Sequence, residues 1–156
     1  MEDTIKAIIE QVTDLMPIYL KVEEDWAKAN GNVAICIIDD QEQIYGKMFG
    51  TDKIRSRESF RVAWLKASQV WITGFKTGAF EKLAFNNEID EEQYGIKRPD
   101  YIGWEGGQPI LLSNGKFISV GFSGFRSATD LEIVLRAIEN IEAQVKQMKV
   151  LVNSVG

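Results

Sequence analysis

Lys66 and Asp39 are the charged side chains whose position in the sequence favours chemistry. Lys66 lies between Leu65 and Ala67 in a helix-forming segment, and Asp39 ends an apolar run that is typical of a strand. A lysine near a carboxylate can hold a ligand by its charge, and a desolvated lysine can act as a base. The alternative, which we favour, is a salt bridge that ties the helix to the hairpin.

Gly106 and Gly107 are adjacent glycines that no tight turn in the sequence explains. They precede Pro109 in a segment that is otherwise typical of a strand. Glycine lets the backbone come close to another group, which could be a ligand or a packed ring such as that of Trp104. Both alternatives stay open at the level of sequence.

A second glycine motif, Gly121-x-Ser123-Gly124, joins a predicted strand to a predicted helix. Exposed amides at the start of that helix could hold an anion. The motif lacks the fuller pattern of dinucleotide-binding and P-loop sites, so it does not identify a nucleotide ligand.

Histidine is absent from the sequence. Its absence excludes Ser-His-Asp and Cys-His nucleophilic machinery, HExxH-type zinc sites and histidine-ligated haem. The single cysteine, Cys36, can form neither an internal disulfide nor a cysteine zinc site, and its apolar neighbours predict a buried thiol.

The charge of the chain argues against nucleic acid as a partner. The formal net charge is -5, whereas phosphate binding relies on clustered lysines and arginines. One basic run, Lys53, Arg55, Arg57 and Arg61, opens a predicted helix, and its spacing favours a solvated helix face over an anion site.

Length and composition predict one globular domain over residues 1–156. The chain is 45% hydrophobic and 26% charged, which is ordinary for a globular protein. It has no run of about 18 apolar residues that would predict a membrane span. Its start, Met1-Glu2-Asp3, lacks the basic and apolar regions of a signal peptide. We therefore expect a cytoplasmic protein with no membrane partner.

The first helix is predicted from apolar residues at helical spacing between Ile5 and Trp26. Pro17 removes one backbone donor, so we expect a kink or a break near Thr13–Pro17. Asn30-Gly31 then supplies a C-terminal stop.

A hairpin follows, formed by the apolar runs Val33–Ile38 and Ile44–Phe49. Its first strand has no polar alternation and should be covered on both faces. A second helix is closed by Gly74, and a short helix begins after Thr77. The predicted apolar face of the second helix consists of Phe60, Ala63, Trp64, Ala67, Val70 and Trp71.

The C-terminal half begins with a long loop over residues 86–105, and loops of that length are often functional. Asn114-Gly115 predicts a second hairpin with a two-residue turn and positive φ at both residues. Pro109 belongs on an edge strand, and Ser127–Asp130 has the pattern of a capping box that opens the last helix. Two hairpins imply a mainly antiparallel sheet flanked by helices, an α+β fold.

Four motifs occur in a fixed order along the chain. They are the apolar strand ending in Asp39, the S-x-x-x-A-x-x-K-A pattern of Ser59, Ala63, Lys66 and Ala67, the Gly-Gly-x-Pro-Ile of Gly106 to Ile110, and Gly121-x-Ser123-Gly124 with Asp130 six residues later. In this order they resemble the GlcG/HbpS family over roughly Val33 to Ile138. That family is also described as haem-degrading-domain-like, and it includes the C-terminal domain of PduO-type corrinoid adenosyltransferases.

The resemblance implies a profilin-like α/β sandwich around a five-stranded antiparallel sheet, and assembly into homo-oligomers. Some members bind haem through a histidine, which this sequence cannot supply. Cys, Met and Tyr are the other side chains here that could ligate haem iron. Cys36, Met16 and Tyr19 are predicted to pack in the core instead, and Tyr94 in the long loop is free to contact a ligand.

These observations favour a small-molecule-binding protein of the GlcG/HbpS type, whose ligand the sequence does not identify. The expected pocket is formed by Trp104, Gly106, Gly107, Lys66 and Ser123. One alternative is an enzyme in which Lys66 and Asp39, or the neighbouring Asp40, transfer a proton on a small carbonyl compound or hydroxy acid. Another is an oligomeric assembly module without a ligand, suggested by the four tryptophans and the long terminal helices.

Overall fold

The described part of the chain, residues 1–97, 100 and 102–155 of a computed structural model, forms five α-helices and four β-strands. The helices are α1 (Glu2–Tyr19), α2 (Glu23–Ala29), α3 (Lys53–Thr73), α4 (Thr77–Phe85) and α5 (Ser127–Val155). The strands are β1 (Ala34–Ile38), β2 (Ile44–Met48), β3 (Gly107–Leu111) and β4 (Phe117–Ser123). None of the helices in these ranges is long and apolar enough to cross a membrane.

The strands form one antiparallel sheet in the order β2-β1-β4-β3. Both predicted hairpins are therefore confirmed, and Pro109 lies on an edge strand as expected. The number of strands differs from the expectation, because the described residues contain four strands and not five. The predicted loop 86–105 contains a 3-10 helix, Glu91–Tyr94, in its described part. Arg98, Pro99 and Tyr101 of that loop lie outside the described residues.

β1 is the buried centre of the sheet, and all five of its residues are buried. Ile35 and Ile37 belong to a core cluster that α1 and α5 share with β4. Ala34, Cys36 and Ile38 face the other way and pack against α3. The protein is thus a three-layer sandwich, and the prediction that β1 is covered on both faces is confirmed.

The first predicted helix is divided into α1 and α2, but the division lies at Leu20–Val22. We expected a kink or a break near Thr13–Pro17, yet α1 continues through Pro17 to Tyr19. Proline removes a single helical hydrogen bond. The buried side chains on both sides of Pro17 hold α1 against the core across that gap. Asn30 ends α2 in the left-handed region at φ 48°, as predicted.

The face that α3 presents to the sheet consists of small residues. Ala63 and Ala67 are fully buried against β1 and β4. Trp64 and Trp71, which were predicted to share that face, are 37% and 46% exposed. The prediction was wrong for these two tryptophans because α3 lies too close to the sheet for a large ring to fit between them.

The turn between β3 and β4 contains three residues, Ser113–Gly115, rather than two. Leu112 N donates to Lys116 O over 2.9 Å, and Gly115 has φ +83°. Asn114 does not have positive φ, and its Oδ1 instead accepts from Lys116 N at 3.0 Å. This is the three-residue hairpin loop that ends in a left-handed residue, so only Gly115 has the predicted backbone role.

Candidate functional site

Lys66 is fully buried beneath β4, and its ammonium group has three hydrogen-bond partners. Nζ lies 2.8 Å from Phe122 O, 2.8 Å from Glu105 O and 3.2 Å from Asp130 Oδ2. A lysine ammonium has three hydrogens, so these three acceptors can use all of them. The side chain therefore joins α3 to β4, to the segment before β3 and to the start of α5.

The salt bridge of Lys66 was predicted with the wrong partner. It forms with Asp130, and Asp39 lies farther along the sheet. Lys66 contacts the carbonyl of Phe122, whereas Asp39 follows Ile38, which pairs with Ser119. Phe122 pairs with Ile35, which is four residues before Asp39, so the two positions are about 13 Å apart along the sheet. The structure therefore does not bring together the Lys66–Asp39 pair of the proposed proton transfer.

Asp39 forms the turn between β1 and β2. Its Oδ1 accepts from the amides of Gln41 and Gln43 at 2.9 and 2.8 Å. A carboxylate that bonds to the backbone two residues ahead starts a turn, which is the structural role that Asp commonly has at a strand end.

Asp130 binds Lys66, and it also binds the backbone just before α5. Its Oδ1 accepts from Phe125 N at 2.9 Å, and Asp25 Oδ1 accepts from Arg126 N at 2.9 Å. The capping-box prediction for Ser127–Asp130 was wrong, because α5 already begins at Ser127 and the Asp130 carboxylate accepts from the amide of Phe125, which lies before the helix. Because carboxylates of the chain hold the amides of Phe125 and Arg126, these two amides cannot serve as the anion site that Gly121-x-Ser123-Gly124 suggested.

Burial dominates the electrostatics of the Lys66–Asp130 pair. Burial lowers the pKa of Lys66, against the opposing charge and hydrogen bond of Asp130. Burial also raises the pKa of Asp130 to about 7, against the opposing effects of Lys66 and of the Phe125 amide. Each residue is thus the main group that favours the charged form of the other.

Asp25 forms a second buried carboxylate site at the start of α5. Its oxygens accept from Arg126 Nε at 3.0 Å and from Thr129 Oγ1 at 2.9 Å. Burial raises the pKa of Asp25, but the hydrogen bonds from Arg126 and Thr129 outweigh it, so the pKa is lowered overall. Asp25 is ionised, and it fixes α2 to α5.

Gly106 and Gly107 lie so close to neighbouring residues that a side chain at either position would clash with them. A Cβ on Gly106, which has φ +113°, would lie 2.9 Å from Lys66 Nζ. A Cβ on Gly107 would lie 2.4 Å from Thr77 Cγ2 on α4. Close packing therefore accounts for both glycines, although the ring of Trp104 is not the group that they approach.

A cavity of about 260 Å³ lies between α4 and the strand entry at Glu105–Gln108. Its wall includes Gly106 and Gly107, together with Lys76 and Lys82 at the two ends of the α4 segment. Lys66, Ser123 and Trp104, the other predicted pocket residues, are not among the described residues that line it. Lys66 lies behind Gly106, Ser123 is buried at the end of β4, and Trp104 is 65% exposed.

Thr77, which lines this cavity, and Gln69, which does not, hold the chain segment that leads to Glu105. Thr77 Oγ1 donates to Trp104 O and accepts from Gly107 N at 3.3 Å. The Gln69 side chain pairs with both backbone groups of Ile102 at 2.7 and 2.8 Å. These two side chains hold a segment of irregular backbone, and no sequence motif identified either of them. The only feature of the sequence that could have indicated this cavity is the pair of lysines at the short helix α4, Lys76 and Lys82.

The side chains that were considered as alternatives to a histidine haem ligand have packing roles in the structure. Cys36, Met16 and Tyr19 are buried, as expected for core residues, and burial raises the pKa of the Cys36 thiol to about 12. Tyr94 packs edge-on against Phe80 at 6.1 Å between ring centroids. Within the described residues, no group of three or more Cys, Asp or Glu side chains is arranged to hold a metal ion.

The sequence matches no family model and no curated protein. Its fold does match solved structures. ORFY of Klebsiella pneumoniae, described as DUF336, superposes with a TM-score of 0.67 at 14% identity over 92% of this chain and 90% of that one. PduOC, solved as a haem complex, gives 0.60 at 17% identity over 85% and 90%. A double mutant of HbpS from Streptomyces reticuli gives 0.52 at 16% identity over 86% and 83%.

These likenesses establish the fold of the chain. It is the fold of the GlcG/HbpS-like proteins, as the four sequence motifs indicated. Fold alone does not assign an activity, so function has to be argued from the site.

Proposed function

We propose that the protein is a small-molecule-binding protein of the GlcG/HbpS type, and that its ligand occupies the cavity between α4 and Glu105–Gln108. The observation that carries the proposal is the 260 Å³ space beside Gly106 and Gly107. Binding sites for drug-sized ligands have volumes of roughly 300–1,000 Å³, so a cavity just below that range suits a small metabolite.

The charges around the cavity favour an anionic ligand. Lys76 and Lys82 line it, and α4 begins at Thr77 with no side chain capping its first amides. Ammonium groups and the start of a helix both attract a carboxylate. Glu105 also lines the cavity and could accept a hydrogen bond from a hydroxyl on the same ligand. We therefore propose a small carboxylate, with or without a hydroxyl group, as the ligand.

Haem is a poor candidate for this cavity. The chain has no histidine, and the described cavity is smaller than a typical site for even a drug-sized molecule. We propose that the haem complex of PduOC reports a property of that protein, and that a haem titration of this chain gives no sharp, saturable Soret band.

Carboxylate binding is expected to depend on the two lysines of the cavity. A thermal-shift screen of small mono- and dicarboxylates, flavins, corrinoids and porphyrins should give a saturable response to a carboxylate. The Lys76→Gln/Lys82→Gln variant should lose affinity for it by about tenfold or more, as calorimetry would measure. Lys53→Gln, which removes an exposed lysine from α3, is the matched control and should bind normally. Flat responses to every class would overturn the proposal.

We also propose a homo-oligomer in the cytoplasm. Exposed apolar side chains support the assembly, among them Met48 on edge strand β2 and Met148 on α5, which are 56% and 67% exposed. The single cysteine, Cys36, is a buried free thiol, as is usual for proteins of the reducing cytoplasm. Light scattering should give a mass that is a multiple of the chain mass, and a monomer at every concentration would contradict the assembly.

A further inference from the structure

The C-terminal end of α5 lies outside the core of the protein. Glu142 Oε1 accepts from Ser113 N at 2.8 Å, so α5 passes the loop between β3 and β4 at that residue. The helix then continues to Val155, which is about 20 Å farther along its axis. The described side chains from Lys146 onward are all exposed, so the described part of the chain leaves this end of α5 uncovered.

The apolar stripe of α5 continues onto this uncovered end. Its members alternate at spacings of three and four residues, and they are Leu131, Val134, Ile138, Ile141, Val145, Met148, Val152 and Val155. Ile138 and Ile141 are buried in the core cluster. Val145 is partly buried, and Met148 is 67% exposed. A stripe with an average spacing of about 3.5 residues is the pattern by which two helices pack in a coiled coil.

A groove of about 520 Å³ lies along the uncovered end, and Val145, Met148, Lys149 and Asn153 line it. An apolar stripe in such a groove favours contact with another apolar surface over contact with water. The charges of this end do not oppose contact between two copies of the chain. Residues 139–155 contain two glutamates and two lysines, whereas the whole chain has a formal net charge of -5.

Glu142 and Lys149 make the uncovered end complementary to a copy of itself. They directly follow Ile141 and Met148 of the stripe, which places both at the e position of a heptad. Glu142 Oε2 and the Lys149 ammonium have no hydrogen-bond or ion-pair partner in the part of the chain that the structure describes. In an antiparallel pair of helices, the e positions of the two chains lie side by side. Two copies that cross near Val145 therefore place Glu142 of each beside Lys149 of the other.

A parallel pair of helices would lack this complementarity. In a parallel coiled coil, each e position faces a g position of the other helix. The g positions of the uncovered end are Gln144 and Leu151, and neither carries a charge. The antiparallel pair also closes on itself, because a two-fold axis gives both copies the same surface.

From this arrangement we infer that the uncovered ends of α5 from two copies of this chain pack together as a short antiparallel coiled coil. Met148 of each copy lies opposite Val145 of the other, and two Glu142–Lys149 ion pairs flank the apolar seam. The inference rests on the homo-oligomer proposed above and gives it a surface, and it does not involve the cavity beside Gly106. About four helical turns from each copy bury less area than a standard stable interface, so we expect a weak association with a Kd of about 10–100 μM.

The first test is sedimentation of the full chain at concentrations from about 1 μM to 1 mM, which span that Kd. Met148→Glu places a charge in the apolar seam and should weaken the association by about tenfold or more. Val150→Glu is the matched control, because Val150 is 66% exposed on the opposite side of α5. The control should associate as the wild type does.

A charge exchange tests the antiparallel orientation. Glu142→Lys and Lys149→Glu each convert both ion pairs into pairs of like charge, and each should weaken the association by about fivefold or more at low salt. The double variant Glu142→Lys/Lys149→Glu restores both pairs, and so does a mixture of the two single variants. Both should associate at close to the wild-type affinity.

The outcomes separate this interface from assembly in general. An oligomer whose mass and affinity are unchanged in Met148→Glu would overturn the inference and leave the homo-oligomer standing. Single charge variants that neither the double variant nor the mixture rescues would rule out the antiparallel pairing. A wild-type chain that stays monomeric up to about 1 mM would refute both the inference and the homo-oligomer, and its binding to phosphatidylcholine vesicles would then identify a lipid surface as what covers the stripe. The carboxylate titration is independent of all these results.

Discussion

Replacing Lys66 by methionine is expected to lower the free energy of unfolding by about 3–5 kcal/mol, measured by urea denaturation at about pH 8. Methionine fills similar space but donates no hydrogen bond. The substitution leaves Phe122 O, Glu105 O and the Asp130 carboxylate buried without the ammonium that they share. Each buried acceptor without a donor costs about 1–3 kcal/mol, so packing alone cannot compensate.

The pH dependence of this loss has a definite sign. The pKa of Asp130 is about 7 in the folded protein against an ordinary value of 3.8, so the folded state binds the proton more tightly. The contribution of Asp130 to the free energy of unfolding therefore decreases as the pH rises from the ordinary pKa of 3.8 to the folded-state pKa of about 7. Without Lys66, which lowers that pKa, the window extends to higher pH. The cost of Lys66→Met should accordingly be larger at about pH 8 than at about pH 5.

Two controls separate the buried charge from a general effect of losing a lysine. Lys53→Met removes an exposed lysine from the same helix and should change stability by no more than about 0.5 kcal/mol. The double variant Lys66→Met/Asp130→Leu removes both charges and should recover part of the loss. A loss below about 1 kcal/mol in the single variant, or a larger loss at acidic pH, would contradict this account of Lys66.

Local sequence patterns predicted the sheet well. β1 is an uninterrupted apolar run, and it is the strand that α1, α5 and α3 cover. The Asn114-Gly115 pair correctly predicted the second hairpin. The predicted length of its loop was wrong, because a three-residue loop also needs a glycine with positive φ at position 115. These features depend on neighbours in the sequence, which is why the residue types alone indicated them.

The partner of Lys66 could not be predicted from local patterns. Asp130 is 64 residues away, and the sequence around it has only the pattern of a capping box. Asp39 was the more visible carboxylate because it ends a strand. Choosing between the two requires the register of β4 against β1, which places Phe122, and with it Lys66, away from the Asp39 turn.

Only part of the lining of the cavity beside Gly106 was predicted, because the rest of the lining also depends on contacts between residues that are distant in the sequence. The unexplained glycines pointed to it, but their tight contacts are with Lys66 and Thr77 of the chain itself. Lys76 and Lys82 complete its wall through the packing of α4, which no motif specifies. The sequence therefore indicated the place, whereas tertiary packing determines which side chains surround it.

Gly121→Ala is expected to cost about 3 kcal/mol or more of unfolding free energy, because it would separate α3 from the sheet. A Cβ at Gly121 would lie 2.1 Å from Ala63 O and 2.6 Å from Ala67 N. Both are backbone atoms of a helix, so neither can rotate away as a flexible side chain would. Urea denaturation measures the loss, and failure to fold would be its extreme form.

The matched control is Gly78→Ala in α4, where the nearest heavy atom to an added Cβ is 3.8 Å away. That variant should keep its stability or gain up to about 1 kcal/mol from the higher helix propensity of alanine. Ala63→Gly should not rescue Gly121→Ala, because the clash is with the Ala63 carbonyl rather than with its methyl group. Wild-type stability in Gly121→Ala would mean that α3 can move off β4 without loss. In that case, the close approach of α3 to the sheet would not be what keeps Trp64 and Trp71 on the outside of the helix.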